Sequence, residues 1–351
     1  SLGTGIDPLE LIAQYGADAT RMMLLMQCST NQDIRFDAEV HDNKVTRSAT
    51  GETCRNFLNK IWNAARFVLM NIGTGTAYAL PTELTEPSDR WILSRLQAVT
   101  AGITEAMENF RFDEATNRLY AFVWSEFCDW YIELAKPRMK AGDPAVKAVL
   151  WHVLESICRL LQPFAPFLAE ELWQQLGAEG QACIVAAWPV ADAALRDEAA
   201  EAAFGLTQEI VRAVRNLRVE AGVGERDEVR VVLSAGTPGL DTMVDYIAAL
   251  ARCSEVVLSD SGCDEQAVAA VVGGVDVWLP LAGLIDVDAE RARLTKERDK
   301  AQADLDVQRK KLGNESFVAK APAAVVDTVK AREAELVETI ARLTERIAAL
   351  G

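Results

Sequence analysis

Five polar or basic side chains share one face of the helix predicted from Cys54 to Met70: Asn56, Asn59, Lys60, Asn63 and Arg66. The apolar side chains of this segment recur on the opposite face. Amide and basic groups beside an apolar surface are the chemistry that reads the splayed edges of single-stranded RNA bases. An ordinary solvated face is the alternative, although three Asn in one helix carry a propensity cost that surface chemistry alone does not explain.

Three arginines recur every three residues along the helix predicted to lead to Glu220: Arg212, Arg215 and Arg218. Fixed guanidinium groups in such a row could grip phosphates. The alternative is that Glu209 and Glu220 on the same helix pair with them. The pattern predicts nucleic-acid contact and leaves this pairing open.

A further basic cluster lies near a predicted turn in the last quarter of the sequence: Arg309, Lys310, Lys311 and Lys320. These residues flank a segment with coiled-coil spacing, where charges commonly serve solubility alone. The cluster as a whole is therefore a better candidate for binding nucleic acid than any one of its members.

Residue types for metal binding or catalysis are sparse. The seven Cys are dispersed, no Cys-x-x-Cys pair occurs, and His41 and His152 are the only histidines. This composition argues against a zinc site and a disulfide framework, and it favours a reducing, cytoplasmic location. No apolar run approaches 18 residues, so the sequence predicts no membrane role. Gly273 and Gly274 indicate a turn and not a phosphate loop, because the following Lys is missing.

The net charge of −16 opposes a nucleic-acid partner at first sight. Its distribution weakens that objection. Residues 286–351 hold 13 Lys plus Arg and 13 Asp plus Glu, so the whole excess of negative charge lies in residues 1–285. Recognition depends on local patches and not on the overall sum.

The elements that position these residues indicate a mainly α protein. Amphipathic helical stripes dominate to about residue 176 and predict a helical bundle. One stripe, capped by Asp89, runs from Ile92 through Met107 to Phe110. Short β-rich runs then predict a small α/β module. The predicted divisions are a helical segment at 1–48, the bundle at 49–195, a helix plus α/β module at 196–285, and a coiled coil at 286–351.

The final segment has the most regular pattern. Helices are predicted from Asp288 to Leu312 and from Pro322 to Leu350, with Gly313 and Asn314 ending the first. Apolar residues of the second helix alternate at spacings of three and four, as in a coiled-coil seam. Two such helices joined by a short loop form an antiparallel hairpin, about 37 Å long at 1.5 Å per residue.

Several motifs together resemble class I aminoacyl-tRNA synthetases. They are Ser1 to Pro8, Tyr15 to Arg21, Phe127 to Glu133 followed by Lys136-Pro137, and Pro163 to Phe167 followed by Glu170 to Trp173. Leu279 to Val287 and Asn314 to Pro322 resemble the C-terminal arm of bacterial valyl-tRNA synthetases. Isoleucyl enzymes of bacterial type end instead in a zinc module with paired Cys-x-x-Cys, and leucyl and methionyl enzymes lack the arm.

The resemblance implies the C-terminal portion of an enzyme that attaches valine to its tRNA with ATP and Mg²⁺. Ser1 matches the last position of the Lys-Met-Ser-Lys-Ser signature loop, and residues 1–48 resemble the loop end with a stem-contact segment. The family places its nucleotide-binding and editing domains before that loop. The expectations are therefore an anticodon-binding bundle and a tRNA-binding arm, no complete catalytic set, no cofactor bound by this chain, and a monomer that is inactive without its N-terminal half.

Two other functions stay open from the sequence. The scaffold suits a freestanding paralogue that binds tRNA without ligase activity, either as a chaperone or as a partner subunit. The arm also suits a coiled-coil device for dimerisation. An oligomer that forms without RNA would distinguish the second alternative.

Overall fold

Two short helices open the described part of the chain. The structure is a computed structural model that describes residues 6–28, 37–41, 44–177, 181–224, 226–281, 287–313 and 323–349. Helix α1 (Pro8–Tyr15) begins where the Asp7 carboxylate accepts a hydrogen bond from the Leu9 amide at 2.9 Å. Gly16 follows with φ of 91°, and α2 (Ala17–Met26) resumes the chain. Gly16 separates the two helices, since glycine reaches this φ without a Cβ clash.

The chain separates into two compact units, Ser1–Phe204 and Gly205–Gly351. Unit 1 holds a hairpin of strands β1 (Ala38–His41) and β2 (Lys44–Ser48) and most of the helices. Its remaining α-helices are α3 (Ala49–Ile72), α4 (Pro87–Glu108), α5 (Phe112–Ala121), α6 (Ile132–Lys140), α7 (Pro144–Leu161) and α8 (Pro166–Leu176). A π-helical segment, Phe122–Tyr131, joins α5 to α6.

The core of unit 1 follows the predicted stripes closely. Phe57, Ile61, Ala65 and Val68 of α3 are buried, as are Leu119, Val123, Phe127, Trp130 and Leu134 along the α5–α6 run. The buried stripe predicted on α4 extends too far along the chain, so its predicted end at Phe110 is wrong. Helix α4 stops at Glu108, and Phe110 takes φ of 55° with 72% of its surface exposed. The chain turns there before the stripe can continue.

The sequence predicted Asp89 as the N-cap of α4, and this prediction is wrong. Pro87 begins the helix, which puts Glu86 at the cap position and Asp89 inside the first turn. The Asp89 carboxylate is buried and accepts hydrogen bonds from both terminal nitrogens of Arg138, at 2.7 and 2.8 Å. The Tyr131 hydroxyl donates to it at 2.7 Å. This buried pair links α4 to the end of the π-helical segment and to α6.

Helix α9 (Glu198–Glu220) begins in unit 1 and ends in unit 2. Unit 2 continues with the strands and short helix of the α/β module: β3 (Val229–Ser234), α10 (Val244–Ala251), β4 (Cys253–Ser259), β5 (Ala267–Val272) and β6 (Val275–Pro280). The sheet order is β4-β3-β6-β5, with β3 and β4 parallel and the other pairs antiparallel. Strand β5 had not been predicted, because its alanines lack a strong β pattern.

The last two helices of unit 2 form the predicted hairpin, called the arm below. Helix α11 spans Val287–Leu312 and α12 spans Ala323–Ala349, within a residue of the predicted ends. Their antiparallel contact buries Ala301, Leu305 and Leu336, with Ile340 packed against them. The mainly α fold class is confirmed, including the small α/β module and this hairpin.

Within these described ranges, no helix combines the length and the apolar character needed to span a membrane. The same residues place no three His, Cys, Asp or Glu side chains where they could hold a metal ion together.

Candidate nucleic-acid interface

The polar face predicted on α3 is largely open to solvent. Asn56, Asn59, Asn63 and Arg66 are all exposed, and the buried residues of the helix lie behind them. The Ser48 hydroxyl caps the helix by accepting a hydrogen bond from the Gly51 amide at 3.0 Å. Helix α3 presents three side-chain amides and one guanidinium on its exposed face.

Lys60 differs from its neighbours in being held by other side chains, and its predicted contact with RNA stays a prediction. Its ammonium group lies 2.5 Å from an Asp129 carboxylate oxygen and 3.8 Å from the centre of the Trp124 ring. An ammonium held by both a carboxylate and an aromatic face is compensated in charge and fixed in position. Lys60 thus links α3 to the π-helical segment through its contacts with Asp129 and Trp124.

A groove runs beside the exposed asparagines, and we call it the α3 groove. It measures about 490 Å³ and is lined by residues that include Tyr15, Asp18, Arg55, Asn59 and Phe167. The Arg55 guanidinium lies over the Tyr15 ring, 5.7 Å from its centre. The Phe167 side chain is 69% exposed. An aromatic ring, a guanidinium plane and an amide thus meet in one concave surface.

Asp18 fixes the far wall of the α3 groove. Its carboxylate accepts hydrogen bonds from the backbone amides of Phe167 and Leu168, at 3.3 and 2.7 Å. These amides start α8, where a negative charge is stabilised by the helix dipole. Asp18 is therefore engaged in holding Phe167 at the rim of the groove.

Sequence reasoning missed Arg55 and Phe167. The signal for Arg55 was its place one helical turn before Asn59, on the edge of the predicted polar face. Phe167 belongs to the Pro-Phe-Ala-Pro-Phe motif, in which Phe164 is fully buried and Phe167 is exposed. Pro166 begins α8 and turns the following side chain outward, which the sequence alone does not reveal.

The three arginines of α9 do not share one face. Arg212 and Arg215 are exposed, whereas Arg218 is buried at 6% exposure. Each step of three residues turns by about 300°, so two steps rotate the side chain about 120° around the axis. Arg218 donates hydrogen bonds to the carbonyl oxygens of Arg252, Gly224 and Asp227, at 3.2, 2.8 and 2.6 Å. Arg218 therefore holds loop carbonyls together, and its predicted contact with nucleic acid stays a prediction.

The basic cluster of the arm lies in the last turn of α11. Arg309, Lys310 and Lys311 are exposed, and Arg309 pairs with Glu333 of α12 at 3.1 Å. Cations at this end of a helix are also favoured by its dipole. Lys320 and Ser1, which the sequence had singled out, lie outside the described residues.

Burial suppresses ionisation of most thiols in the described part. It raises the pKa of Cys54 and of Cys128 to about 12, and that of Cys183 and of Cys253 to about 11. Burial, reinforced by the positive charge of Arg159, lowers the pKa of the His152 imidazole. These groups lie outside the lining of the α3 groove.

Two family comparisons match separate segments of the chain. Residues 89–233 match the anticodon-binding domain of tRNA ligase, and residues 286–351 match the valyl tRNA synthetase tRNA binding arm. The valine–tRNA ligase of Bacillus cereus is 40% identical over 360 residues, which cover 100% of this chain. The chain belongs to the valyl-tRNA synthetase family.

Other valyl-tRNA synthetases give the same result. The valine–tRNA ligase of Carboxydothermus hydrogenoformans is 39% identical over 352 residues, covering 96% of this chain and 39% of the relative. That of Bacillus subtilis is 38% identical and covers 100% and 40%. The chain spans about 40% of the length of the curated relatives it matches. A solved structure, the Agrobacterium radiobacter K84 agnB2 LeuRS-tRNA-LeuAMS ternary complex, matches 54% of this chain and 21% of its own at 24% identity. Its TM-score of 0.41 is too low to support an argument.

The two matched segments of this valyl-tRNA synthetase family member divide the candidate residues. Arg212 and Arg215 fall within the anticodon-binding segment, and the α11 cluster falls within the arm. Helix α3, with its asparagines and Arg55, precedes the first matched segment, although the full-length relatives cover it. Phe167 lies within that matched segment and also lines the α3 groove.

Proposed function

We propose that this chain is the tRNA-binding portion of a valyl-tRNA synthetase, with unit 1 binding the anticodon loop and the arm binding elsewhere on the same tRNA. The observation that carries the proposal is the joint occurrence of an anticodon-binding segment and a valyl-type tRNA-binding arm on one chain. Similarity to valine–tRNA ligases along the full chain supports valine tRNA as the partner.

In this proposal the α3 groove takes a splayed anticodon base. Phe167 offers an open ring for stacking, and the Arg55 guanidinium offers a second flat surface with hydrogen-bond donors. Asn59 lines the same groove, while Asn56, Asn63 and Arg66 extend the polar face along α3. Side-chain amides donate and accept, so they suit the mixed edges of bases better than a row of cations would.

The arm would act through phosphates. Lys310 and Lys311 are exposed at the end of α11, with Arg309 and Lys320 as further members of the cluster. Cations that meet the sugar-phosphate backbone fix position without reading sequence. The predicted division into four parts, at residues 48, 195 and 285, belongs to this proposal as well.

The attachment of valine to tRNA with ATP and Mg²⁺ belongs to the longer protein in this proposal. The Asp18 carboxylate and the Tyr15 hydroxyl in the α3 groove already accept hydrogen bonds from backbone amides, and in this proposal the chain by itself binds tRNA and catalyses nothing. In this proposal the longer protein is a cytoplasmic monomer, and this chain works together with its N-terminal catalytic half.

The first test measures binding of the purified chain to valine tRNA and isoleucine tRNA, each with a native and an altered anticodon, across a salt series. Tight binding to valine tRNA that is lost on changing the anticodon would support the proposal. Salt-sensitive binding that ignores both tRNA identity and anticodon would overturn the role of unit 1 and leave only an electrostatic arm.

A matched pair of variants locates the base. Phe167→Ala should weaken binding of valine tRNA about fivefold to a hundredfold, because stacking on an aromatic side chain contributes roughly 1–3 kcal/mol per base. Phe110→Ala is the control, since Phe110 is 72% exposed in the same unit but does not line the α3 groove. Equal effects of the two substitutions would contradict the assignment.

Sedimentation of the chain without RNA tests the alternative function. A dimer under these conditions would favour the arm as a protein-interaction device.

A further inference from the structure

A second concave surface of unit 1 is lined by helices α4 and α7 and by the segment 187–190, and we call it the α4–α7 pocket. It measures about 310 Å³, at the small end of the range for ligand pockets. None of its lining residues belongs to the α3 groove. Its polar lining residues are Gln97, Thr100, His152, Ser156 and Arg159.

Buried polar groups of the α4–α7 pocket lack hydrogen-bond partners in the described part of the chain. The Gln97 side chain is 5% exposed; its carbonyl oxygen accepts from the Asp192 amide at 2.9 Å, but its amide nitrogen has no described partner. Thr100 is 2% exposed, and no described hydrogen bond involves its hydroxyl. The Nε–H of Arg159 is buried and equally without a described acceptor. Such groups are costly to bury unpaired, so bound water or a ligand normally satisfies them.

The His152 imidazole adds a donor and an acceptor to this lining. It makes no hydrogen bond to the described residues, and burial together with the Arg159 charge lowers its pKa. The ring is therefore neutral near pH 7, with an N–H on one nitrogen and a lone pair on the other. The pocket can thus both donate to a ligand and accept from it.

The charge on the lining of the α4–α7 pocket is compensated. Arg159 is the one Lys, Arg, Asp or Glu among the described lining residues, and it pairs with the Glu155 carboxylate at 2.6 Å. It also donates to the Ala187 carbonyl oxygen at 3.1 Å. An anion would find no unpaired cation here, so a neutral ligand with both donors and acceptors fits the lining better.

Trp188 supplies an aromatic wall. Its indole N–H donates to the Thr104 hydroxyl at 2.8 Å, which fixes the position of the ring. Leu96 and Pro189 line the pocket beside it. Flat aromatic surface next to a few polar groups is the usual lining of a site for a planar heterocycle.

We propose that the α4–α7 pocket binds a nucleobase. A nucleobase is planar and neutral, and its edge carries the donors and acceptors that the unpaired groups of Gln97, Thr100 and His152 would meet. A splayed base of a bound tRNA and the base of a free nucleoside share this chemistry. The tRNA as source rests on the proposed function, whereas the pocket itself does not.

Two variants of the full chain remove polar groups from the pocket. Thr100→Val keeps the shape of the side chain and should leave the thermal midpoint unchanged or raise it, because the lost hydroxyl has no described partner. His152→Phe keeps a ring at position 152 without a hydrogen-bonding group. Thr85→Val is the matched control, since Thr85 is an exposed threonine of unit 1 that does not line the pocket.

The first arm of the test titrates the chain with each of the four nucleosides and follows the indole N–H NMR signal of Trp188, assigned with Trp188→Phe. We expect at least one nucleoside to shift this signal saturably at about 1 mM, and ribose to leave it unchanged. Thr100→Val and His152→Phe should each weaken that binding about threefold to tenfold, and Thr85→Val by less than about twofold. An equal response to ribose, or equal nucleoside binding by the parent and both pocket variants, would overturn the site.

The second arm measures binding of valine tRNA and distinguishes the two sources. If the tRNA supplies the base, Thr100→Val should weaken binding about threefold to tenfold without changing the slope of log K against log salt, because no phosphate contact is lost. A nucleoside response beside unchanged tRNA affinity would support the pocket and assign it to a free nucleoside, as it would if the parent chain bound no tRNA and the proposed function fell. The absence of an effect in both arms would overturn the nucleobase site.

Discussion

At the scale of single residues, the buried carboxylate of Asp89 connects three elements of unit 1. Its side chain is 1% exposed, and it neutralises Arg138 while accepting the Tyr131 hydroxyl. Burial and the adjacent Asp89 charge raise the pKa of Tyr131 well above its ordinary value, so the hydroxyl stays a donor. Three elements therefore depend on one carboxylate.

Replacing that carboxylate should destabilise the bundle. We expect Asp89→Ala to lower the free energy of unfolding by about 3 kcal/mol, because it leaves a partly buried guanidinium and a buried hydroxyl without their acceptor. Arg138 keeps its ion pair with Asp143 at 2.7 Å, so the expected loss of unfolding free energy lies at the low end of the range for breaking a buried ion pair. Urea unfolding followed by circular dichroism measures the change.

The matched control for Asp89 is Glu108, an exposed carboxylate at the other end of the same helix. Glu108→Ala should change the free energy of unfolding by less than about 0.5 kcal/mol. A cost below about 1 kcal/mol for Asp89→Ala would mean that the buried pair contributes no more than an exposed one.

His152 gives unit 1 a predictable response to acid. Burial and the Arg159 charge lower the pKa of its imidazole in the folded state from an ordinary 6.5. Below pH 6.5 the unfolded chain therefore binds the proton more readily than the folded chain, and stability falls as pH decreases. Burial raises the pKa of Glu155 on the same helix, which acts in the opposite direction at lower pH.

The variant His152→Gln isolates the contribution of the imidazole. The difference in unfolding free energy between the parent chain and the variant should be constant above pH 7 and should shrink or reverse as pH falls below 6.5. Urea midpoints measured between pH 5 and pH 8 provide the data. A difference that does not vary across this range would show that His152 titrates alike in both states.

The sequence predicted which side chains face solvent better than it predicted what those side chains touch. Helical periodicity alone places Asn56, Asn59 and Asn63 on the same solvent-facing side of α3, so their exposure was predictable. Lys60 is held by Asp129, which lies 69 positions away in the chain, and one of the three acceptors of Arg218 lies 34 positions away. Tertiary partners at that separation leave no local trace, so their structural roles appear only in the folded molecule.

At the scale of elements, the helical stripes were predictable because burial of one face repeats every three or four residues. The stripe from Leu119 to Leu134 stays buried although its middle is π-helical, over Phe122–Tyr131. Its spacings of three and four do not distinguish that widened segment from an ordinary helix. The π-helical stretch nevertheless matters, because it carries Asp129 and Trp124, the two groups that hold Lys60.

The arm depends on a narrow seam, which makes it sensitive to single substitutions. Leu336→Ala removes a buried side chain that packs with Ala301 and Leu305. We expect it to cost about 2 kcal/mol, at the low end for a buried leucine because a two-helix hairpin can partly collapse around the gap. Hydrogen exchange of amides in α11 and α12 measures the loss of protection, and unit 1 should be unaffected.

Val337→Ala is the control for the seam. Val337 follows Leu336 directly but is 44% exposed, so its truncation removes little buried surface. Its exchange rates should match those of the parent chain. If Leu336→Ala and Val337→Ala had similar effects, the hairpin would be held by helix propensity and surface charge, and not by packing at the seam.

At the scale of the whole molecule, the charge distribution separates two kinds of contact. The α3 groove offers amides and aromatic surface in an acidic part of the chain, whereas the arm offers exposed lysines in a segment of balanced charge. Base recognition should therefore depend little on salt, and arm binding should depend on it strongly. The acidic remainder would disfavour nonspecific binding of other nucleic acids.

This separation predicts that variants in the two units act independently on binding of valine tRNA. Asn59→Ala should weaken binding without changing its salt slope, and Lys310→Gln with Lys311→Gln should lower the slope by about two. The triple variant should show free-energy changes that add within about 0.5 kcal/mol, because the amide is proposed to meet a base and the lysines are proposed to meet phosphates. Anisotropy titrations at several salt concentrations complete the cycle. A coupling above about 1 kcal/mol would contradict independent sites, and it would mean that binding at one unit changes how the tRNA is held at the other.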